Sequence, residues 1–256
     1  VTRKRVAAQM ITSAVTGMVL SAMPVGEYDK RLVILTKEKG KITAFAKGAR
    51  KPGSAFLACS NPFSFGTFEL YEGRSAYTIM SVNITNYFEE LRPDVEGACY
   101  GMYFCELADY YVHEYEDGTE SLKLLYQSLK ALSLAGIGKL LVRRIYELRM
   151  FQINGVAPQV FACVKCGRNE NLTRYSSSQS GVLCGSCPSG ESGTLRISEA
   201  ALYTMQYILS APLTKLYTFT VSEEVLSEIE LFVDIHAKGQ IDRELKSLKI
   251  LKMMLS

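Results

Sequence analysis

The sequence predicts an α+β chain: a small N-terminal β-barrel followed by an α-helical domain that carries a four-cysteine metal module. Residues 17–82 hold about five short strand-like runs with glycine at the turns. Beyond Pro93 the apolar and aromatic residues recur at helical spacing. Cys163, Cys166, Cys184 and Cys187 then form two Cys-x-x-Cys pairs around a 17-residue gap, a spacing expected of a tetrathiolate site.

The strands come first. GMVLSAMPV is an apolar run ending near a proline, and RLVILT and KITAFAK flank Lys37-Glu38-Lys39-Gly40 as a hairpin. FSFGTFELYEG and AYTIMSVNI flank Gly73-Arg74-Ser75 as a second hairpin. Five short strands would leave exposed edges, which closure into a barrel removes. Residues 1–82 are therefore expected to form the barrel and 83–256 the helical domain, with the cysteine module at about 160–190. Helices are expected over residues 95–113, 120–134 and 137–153. Cys105, Ala108 and Val112 share one stripe, Leu125, Leu129 and Leu132 another, and Asn154-Gly155 ends the third helix. Ser198 reads as the N-cap of a run to about Leu209, and residues 222–238 and 244–255 read as two more helices.

With 256 residues, 48% of them hydrophobic, the chain can bury a sizeable core. No apolar run is long enough to cross a bilayer, and residues 1–20 show no secretory pattern. Seven cysteines, an odd number, argue against a disulfide framework and for a reducing, cytoplasmic setting. The net charge of +3 conceals a strong asymmetry. Residues 1–51 hold eleven Lys/Arg against three Asp/Glu, including Arg3, Lys4 and Arg5, whereas the rest of the chain is net negative. The basic end should attract polyanions.

Coordination by four cysteines leaves no open position for water or substrate, so the role predicted for the module is structural, with Zn2+ as the ion. The ion would fold a loop that has no evident apolar core of its own. Iron would use the same ligands. The chain has no P-loop, His-Glu-x-x-His, Gly-x-Ser-x-Gly or dinucleotide motif. Its two histidines, His113 and His236, read as surface or helix-terminal residues. A binding protein with no small-molecule substrate is expected, rather than an enzyme.

Three stretches resemble the bacterial RecO family of recombination mediators: VGEYDKRLVILTKEKGKITAFAKGARK (residues 25–51), Pro62-Phe63 with FELYEGRSAY, and RRIYELRMFQINGVAPQVFACVKCG (residues 143–167). The resemblance implies an oligonucleotide-binding (OB-type) barrel and a helical domain with a four-cysteine zinc module. It implies a non-catalytic, nucleoid-associated protein that binds single- and double-stranded DNA, anneals complementary strands and helps load recombinase onto strands coated by single-strand-binding protein (SSB). The implied partners are RecR and the acidic, apolar C-terminal tail of SSB. Candidate phosphate contacts are Lys30, Arg31, Lys37, Lys39, Lys41, Lys47, Arg50 and Lys51, with Lys37, Lys39 and Lys41 placed to share a face. Tyr28 could stack on bases, and Phe45 reads as core. Arg143, Arg144 and Arg149, near Tyr146, Leu148 and Phe151, are candidates for the rim of a groove that takes the tail. An RNA-binding or translation-associated barrel protein is the alternative, because basic strands do not distinguish RNA from DNA.

Overall fold

The computed structural model describes residues 12–74, 76–187 and 194–255. Arg3, Lys4 and Arg5 of the basic tail, and Ser75 of the second hairpin turn, lie outside the described residues. The chain divides into two compact units. One runs up to Glu89 and also takes in Ala108–Leu122; the other comprises Glu90–Leu107 and the chain from Lys123 onward. No helix among the described residues is long and apolar enough to cross a membrane.

The first unit is a closed five-stranded barrel of β1 (Thr12–Val25), β2 (Asp29–Thr36), β3 (Gly40–Ala46), β4 (Phe65–Glu72) and β5 (Tyr77–Asn86). Its order, β1-β2-β3-β5-β4 closing back on β1, with β3 and β5 parallel, is that of an oligonucleotide-binding barrel. β1 starts five residues before the expected run and bends at a register shift between Val19 and Ser21. Such a bulge lets one long strand pair with β2 along one stretch and β4 along another.

Alternation places Leu32 and Ile34 of β2, Ile42, Ala44 and Ala46 of β3, and Phe68 and Leu70 of β4 in the barrel core. Each large apolar side chain buried there contributes about 1.5–3 kcal/mol. The same period turns Lys41, Thr43 and Phe45 outward. Phe45 is half-buried on the outer face, directly opposite Arg31 of β2, and is not among the buried core residues. The expectation that it fills the core fails because its strand neighbours Ala44 and Ala46, though smaller, occupy the inward positions.

The second unit is built around α3 (Lys139–Ile153), which buries ten of its fifteen residues. An apolar run on nearly every side, Leu141, Val142, Ile145, Tyr146, Leu148, Met150 and Phe151, makes this helix a core element rather than an amphipathic cover. The Tyr146 ring stacks on Phe104 of α1 (Val95–Tyr111) at 4.3 Å, and its hydroxyl donates to the Phe104 carbonyl at 2.8 Å. α2 (Thr119–Leu132), α4 (Glu199–Ser210), α5 (Glu223–Gln240) and α6 (Lys246–Leu255) complete the helices. Ser198 caps α4, accepting from the Ala201 amide at 3.2 Å. The stripe residues Cys105, Ala108, Val112, Leu125, Leu129 and Leu132 are all buried.

Candidate metal centre and nucleic-acid interface

The cysteine module is not a bare loop. β6 (Leu172–Ser176), β7 (Gly181–Cys184) and β8 (Leu195–Arg196) form a three-stranded sheet, and Leu172, Tyr175, Val182 and Leu183 are buried in it. The expectation of a loop without apolar packing is thereby corrected: the hairpin between the two cysteine pairs is buried, with Tyr175 packed on Phe232 and His236 of α5. Two tight turns hold the thiols. In the first, the Gly167 amide donates to the Cys163 carbonyl at 2.8 Å, and Gly167 takes φ +75°, a conformation that favours glycine. In the second, the Cys187 amide reaches the Cys184 carbonyl at 3.3 Å, while Arg174 of β6 donates to the carbonyls of Cys184 and Cys187 at 3.1 and 2.7 Å.

These turns bring Cys163, Cys166, Cys184 and Cys187 together, with all four sulfur atoms within 4.8 Å of one another. Cys166 Sγ and Cys184 Sγ are 3.7 Å apart, which matches the edge of a tetrahedron built on metal–sulfur bonds of about 2.3 Å. The electrostatics also suit a cation. Burial alone would raise the Cys163 thiol, but the backbone amides of Cys184, Cys166 and Lys165 pull it down to about 6. Burial likewise opposes ionisation of Cys184, yet hydrogen bonds from Ser186 and Cys187 lower it. Hydrogen bonds to Cys166 and Cys184 push Cys187 up to about 12. Four sulfurs thus converge at one point, and the donor set fits a thiophilic dication.

His236 of α5 is one turn from the helix end but is buried, not on the surface. Its Nε2 meets the Val156 carbonyl at 2.8 Å, so that nitrogen carries the proton. Its Nδ1 accepts from the Tyr175 hydroxyl at 2.7 Å. Burial lowers its pKa, against the Val156 hydrogen bond, and keeps the ring neutral. One ring nitrogen anchors β6 on α5, and the other anchors the segment that follows α3. His113, in contrast, is exposed, in the α1–α2 connector rather than in a helix.

The eight candidate cations of the barrel separate into two groups. Lys30 and Arg31 begin β2, and Lys47, Arg50 and Lys51 follow β3; the pairing of Lys30 with Ala46 and Arg31 with Phe45 brings these segments side by side. Tyr28 is exposed there, with Lys51 Nζ 5.2 Å from its ring centre, and the Arg50 amide donates to the Tyr28 carbonyl at 2.8 Å. Lys30 Nζ donates to the Ser60 carbonyl and to Asn61 Oδ1, both at 3.0 Å. Among the described residues none of these five cations forms an ion pair. Lys37, Lys39 and Lys41 lie at the opposite end of the hairpin. Lys39 Nζ is 3.4 Å from Glu72 and 3.3 Å from the Tyr77 hydroxyl, and Lys41 Nζ is 3.2 Å from Asp109.

Of the three candidate arginines of α3, Arg143 lines a groove, whereas Arg144 and Arg149 are committed to partners inside the unit. Arg143 and Arg144 are buried, and both bond Glu147 at 2.9 Å. Arg144 also reaches Glu230 and Asp234 of α5, each at 2.7 Å. Arg149 donates to the carbonyls of Ile208, Leu209 and Ala211 at the end of α4. Tyr146, Leu148 and Phe151 are in the core and line no groove. A groove of about 540 Å³ does open on this unit, lined by Tyr103, Arg143, Ala237, Ile241, Leu245 and Leu248, with Lys238, Lys249 and Lys252 at its walls beside the carboxylates of Glu147, Asp234 and Glu244. Sequence reasoning missed these three lysines. For Lys249 and Lys252 the signal was the recurrence of lysine every third residue among apolar neighbours in KSLKILKMML; Lys238 lies apart, in α5.

Known proteins match this architecture unit by unit. Residues 10–88 match the family model "Recombination protein O N terminal", and residues 92–249 match "Recombination protein O C terminal". The chain is 31% identical over 240 residues to the DNA repair protein RecO of Acetivibrio thermocellus, covering 93% of this chain and 96% of that one. It is 32% identical over 238 residues to the DNA repair protein RecO of Alkaliphilus metalliredigens, covering 92% and 97%. It is also 32% identical over 246 residues to that of Symbiobacterium thermophilum, covering 94% and 97%. With the barrel, the cysteine module and most of the helical unit inside these matched spans, the chain belongs to the RecO family.

Proposed function

We propose that the protein is a non-enzymatic recombination mediator: it binds single- and double-stranded DNA through its barrel, anneals complementary strands and helps load recombinase onto SSB-coated single strands. The observation that carries the reading is the cluster of Lys30, Arg31, Lys47, Arg50 and Lys51 beside exposed Tyr28 on an oligonucleotide-binding barrel. Cations without carboxylate partners can track a phosphate backbone, and a flat aromatic ring accepts any base. Contacts of this kind hold two strands without reading sequence, as annealing requires. The buried ionisable groups support a binding role too, because Arg144, Glu147 and His236 are committed to structural partners. The four cysteines are assigned as ligands of one structural Zn2+, which when bound fixes both turns to each other.

Fluorescence anisotropy with labelled oligo-dT tests the reading. Binding should weaken steeply with salt, and Arg31→Glu/Lys47→Glu should cost about tenfold or more at low salt. Salt-independent binding, or none, would sink it. If unlabelled RNA competes as well as DNA of the same length, the barrel is a general single-strand binder and the translation-associated alternative gains.

RecR and the C-terminal tail of SSB are the proposed protein partners. The apolar groove with lysines at its walls suits an acidic, apolar peptide. Lys238→Glu/Lys252→Glu should weaken a labelled SSB-tail peptide about tenfold while leaving oligo-dT affinity unchanged. Equal loss of both ligands would remove the groove from the assignment.

A further inference from the structure

We propose that the last turn of α1 together with the connector to α2 is a built-in polyanion mimic. It closes the turn end of the barrel to nucleic acid and leaves the Tyr28–Lys51 end as the open surface. The inference rests on the barrel reading above and adds the element that decides where on the barrel a strand lies.

The connector runs along the β2–β3 turn as an added edge. The Lys41 amide donates to the His113 carbonyl at 3.0 Å, the Tyr115 amide to the Lys39 carbonyl at 3.0 Å, and the Gly118 amide to the Lys37 carbonyl at 3.1 Å. Gly40 and Glu114 form an antiparallel bridge. The approach is so close that a Cβ on Gly118 would collide with the Thr36 carbonyl oxygen. Backbone groups of all three residues that bracket the basic turn, Lys37, Lys39 and Lys41, are therefore taken by this segment.

Its charge is what makes it a mimic. Residues 108–122 contain Asp109, Glu114, Glu116, Asp117 and Glu120 and no lysine or arginine. Asp109 pairs with Lys41 through a carboxylate oxygen at 3.2 Å and also accepts from Lys41 Nζ through its carbonyl. Glu114 and Glu116 are exposed beside the turn. A phosphate chain approaching Lys37, Lys39 and Lys41 would meet a carboxylate chain already there, and like charges at that range repel. At the other end of the hairpin no comparable acidic segment pairs with Arg31, Lys47, Arg50 or Lys51 among the described residues.

The test measures oligo-dT affinity of the full chain at about 50 mM salt, across charge-to-amide variants that keep size and hydrogen bonding. Lys39→Gln/Lys41→Gln should change affinity less than about twofold, because those charges are already neutralised. Asp109→Asn/Glu114→Gln/Glu116→Gln should raise affinity about threefold to tenfold and steepen the salt dependence by about 0.7 for each phosphate newly held. Adding Lys39→Gln/Lys41→Gln to that variant should abolish the gain. Amide exchange at Lys41 and Tyr115 reports whether the connector stays docked. A tenfold loss on Lys39→Gln/Lys41→Gln with no gain from the connector variant overturns it and leaves the barrel reading intact. So does a connector that is docked or released with no change in affinity. Failure of both wild type and the connector variant to bind overturns the barrel reading and this proposal together.

Discussion

Replacing Glu147 by alanine should destabilise the helical unit by about 3–5 kcal/mol, the usual cost of leaving buried charge without its partner. Glu147 is 1% exposed and accepts from the Tyr103 hydroxyl at 2.6 Å, from Arg143 Nε at 2.9 Å and from Arg144 Nη1 at 2.9 Å. Removing it leaves two buried guanidinium groups sharing Asp234 and Glu230, both partly exposed on α5. For a unit of this size each kcal/mol lowers the thermal midpoint by about 2–4 °C. Glu147→Gln keeps the shape and part of the hydrogen bonding, so it should fall between alanine and wild type. Urea titration followed by circular dichroism measures both variants. A loss below about 1 kcal/mol for alanine would mean that water, not Glu147, solvates the arginines.

The same residue gives a pH dependence with a definite sign. Burial works against the Glu147 carboxylate, but Arg144 and Arg143 outweigh it and hold its pKa below the ordinary glutamate range. A depressed carboxylate contributes stability that is complete above its unfolded pKa and is lost as pH falls through the folded one. Acid should therefore weaken the wild-type helical unit more than Glu147→Gln, and the two stabilities should converge as pH drops below the normal glutamate range.

What the sequence made legible was whatever depends on neighbours along the chain. The apolar runs RLVILT and KITAFAK located β2 and β3 as a hairpin, though the inward face of β3 was misread at Phe45, whose neighbours Ala44 and Ala46 take the core positions. The i, i+3 and i+4 stripes found Cys105, Ala108, Leu125 and Leu129, and the paired Cys-x-x-Cys turns located four sulfurs that converge in space. What depends on distant partners was not legible. Arg143 and Arg144 read as the rim of a partner groove because Glu230 and Asp234 follow more than eighty residues later. Only the i, i+3 and i, i+4 spacing of Arg144 and Arg143 to Glu147 hinted at a local pair. His236 read as a helix-end residue because Tyr175 and Val156, which bury it, come from other elements. Lys39 and Lys41 looked like free cations because Glu72 and Asp109 are recruited by the closure of the barrel and by the connector.

Chelation should act on the cysteine module locally, and the packing says where. Structural zinc in isolated finger peptides is worth about 10–16 kcal/mol of apparent binding, because those peptides are unfolded without it. Here Leu172, Tyr175, Val182 and Leu183 are already buried, and Tyr175 is pinned to His236 and packed on Phe232 at 4.2 Å between ring centres. The hairpin should therefore keep its place on α5 after the ion is removed, while the two turns lose their common anchor. Four sulfurs within 4.8 Å, two of them drawn toward ionisation, would be left without a counter-charge and would separate. Protease cleavage at residues 163–168 and 184–187 should accelerate about tenfold or more, a local loss of at least about 1.4 kcal/mol, with the barrel strands unaffected. Elemental analysis of protein prepared without added metal should find one zinc per chain, lost in Cys163→Ser and in Cys184→Ser. A coloured protein whose visible absorption disappears with the metal would identify iron instead. If metal-free and metal-loaded chains are cleaved at the same rate and the same sites, the cysteines do not depend on an ion for their geometry, and amide hydrogen bonds alone account for the cluster.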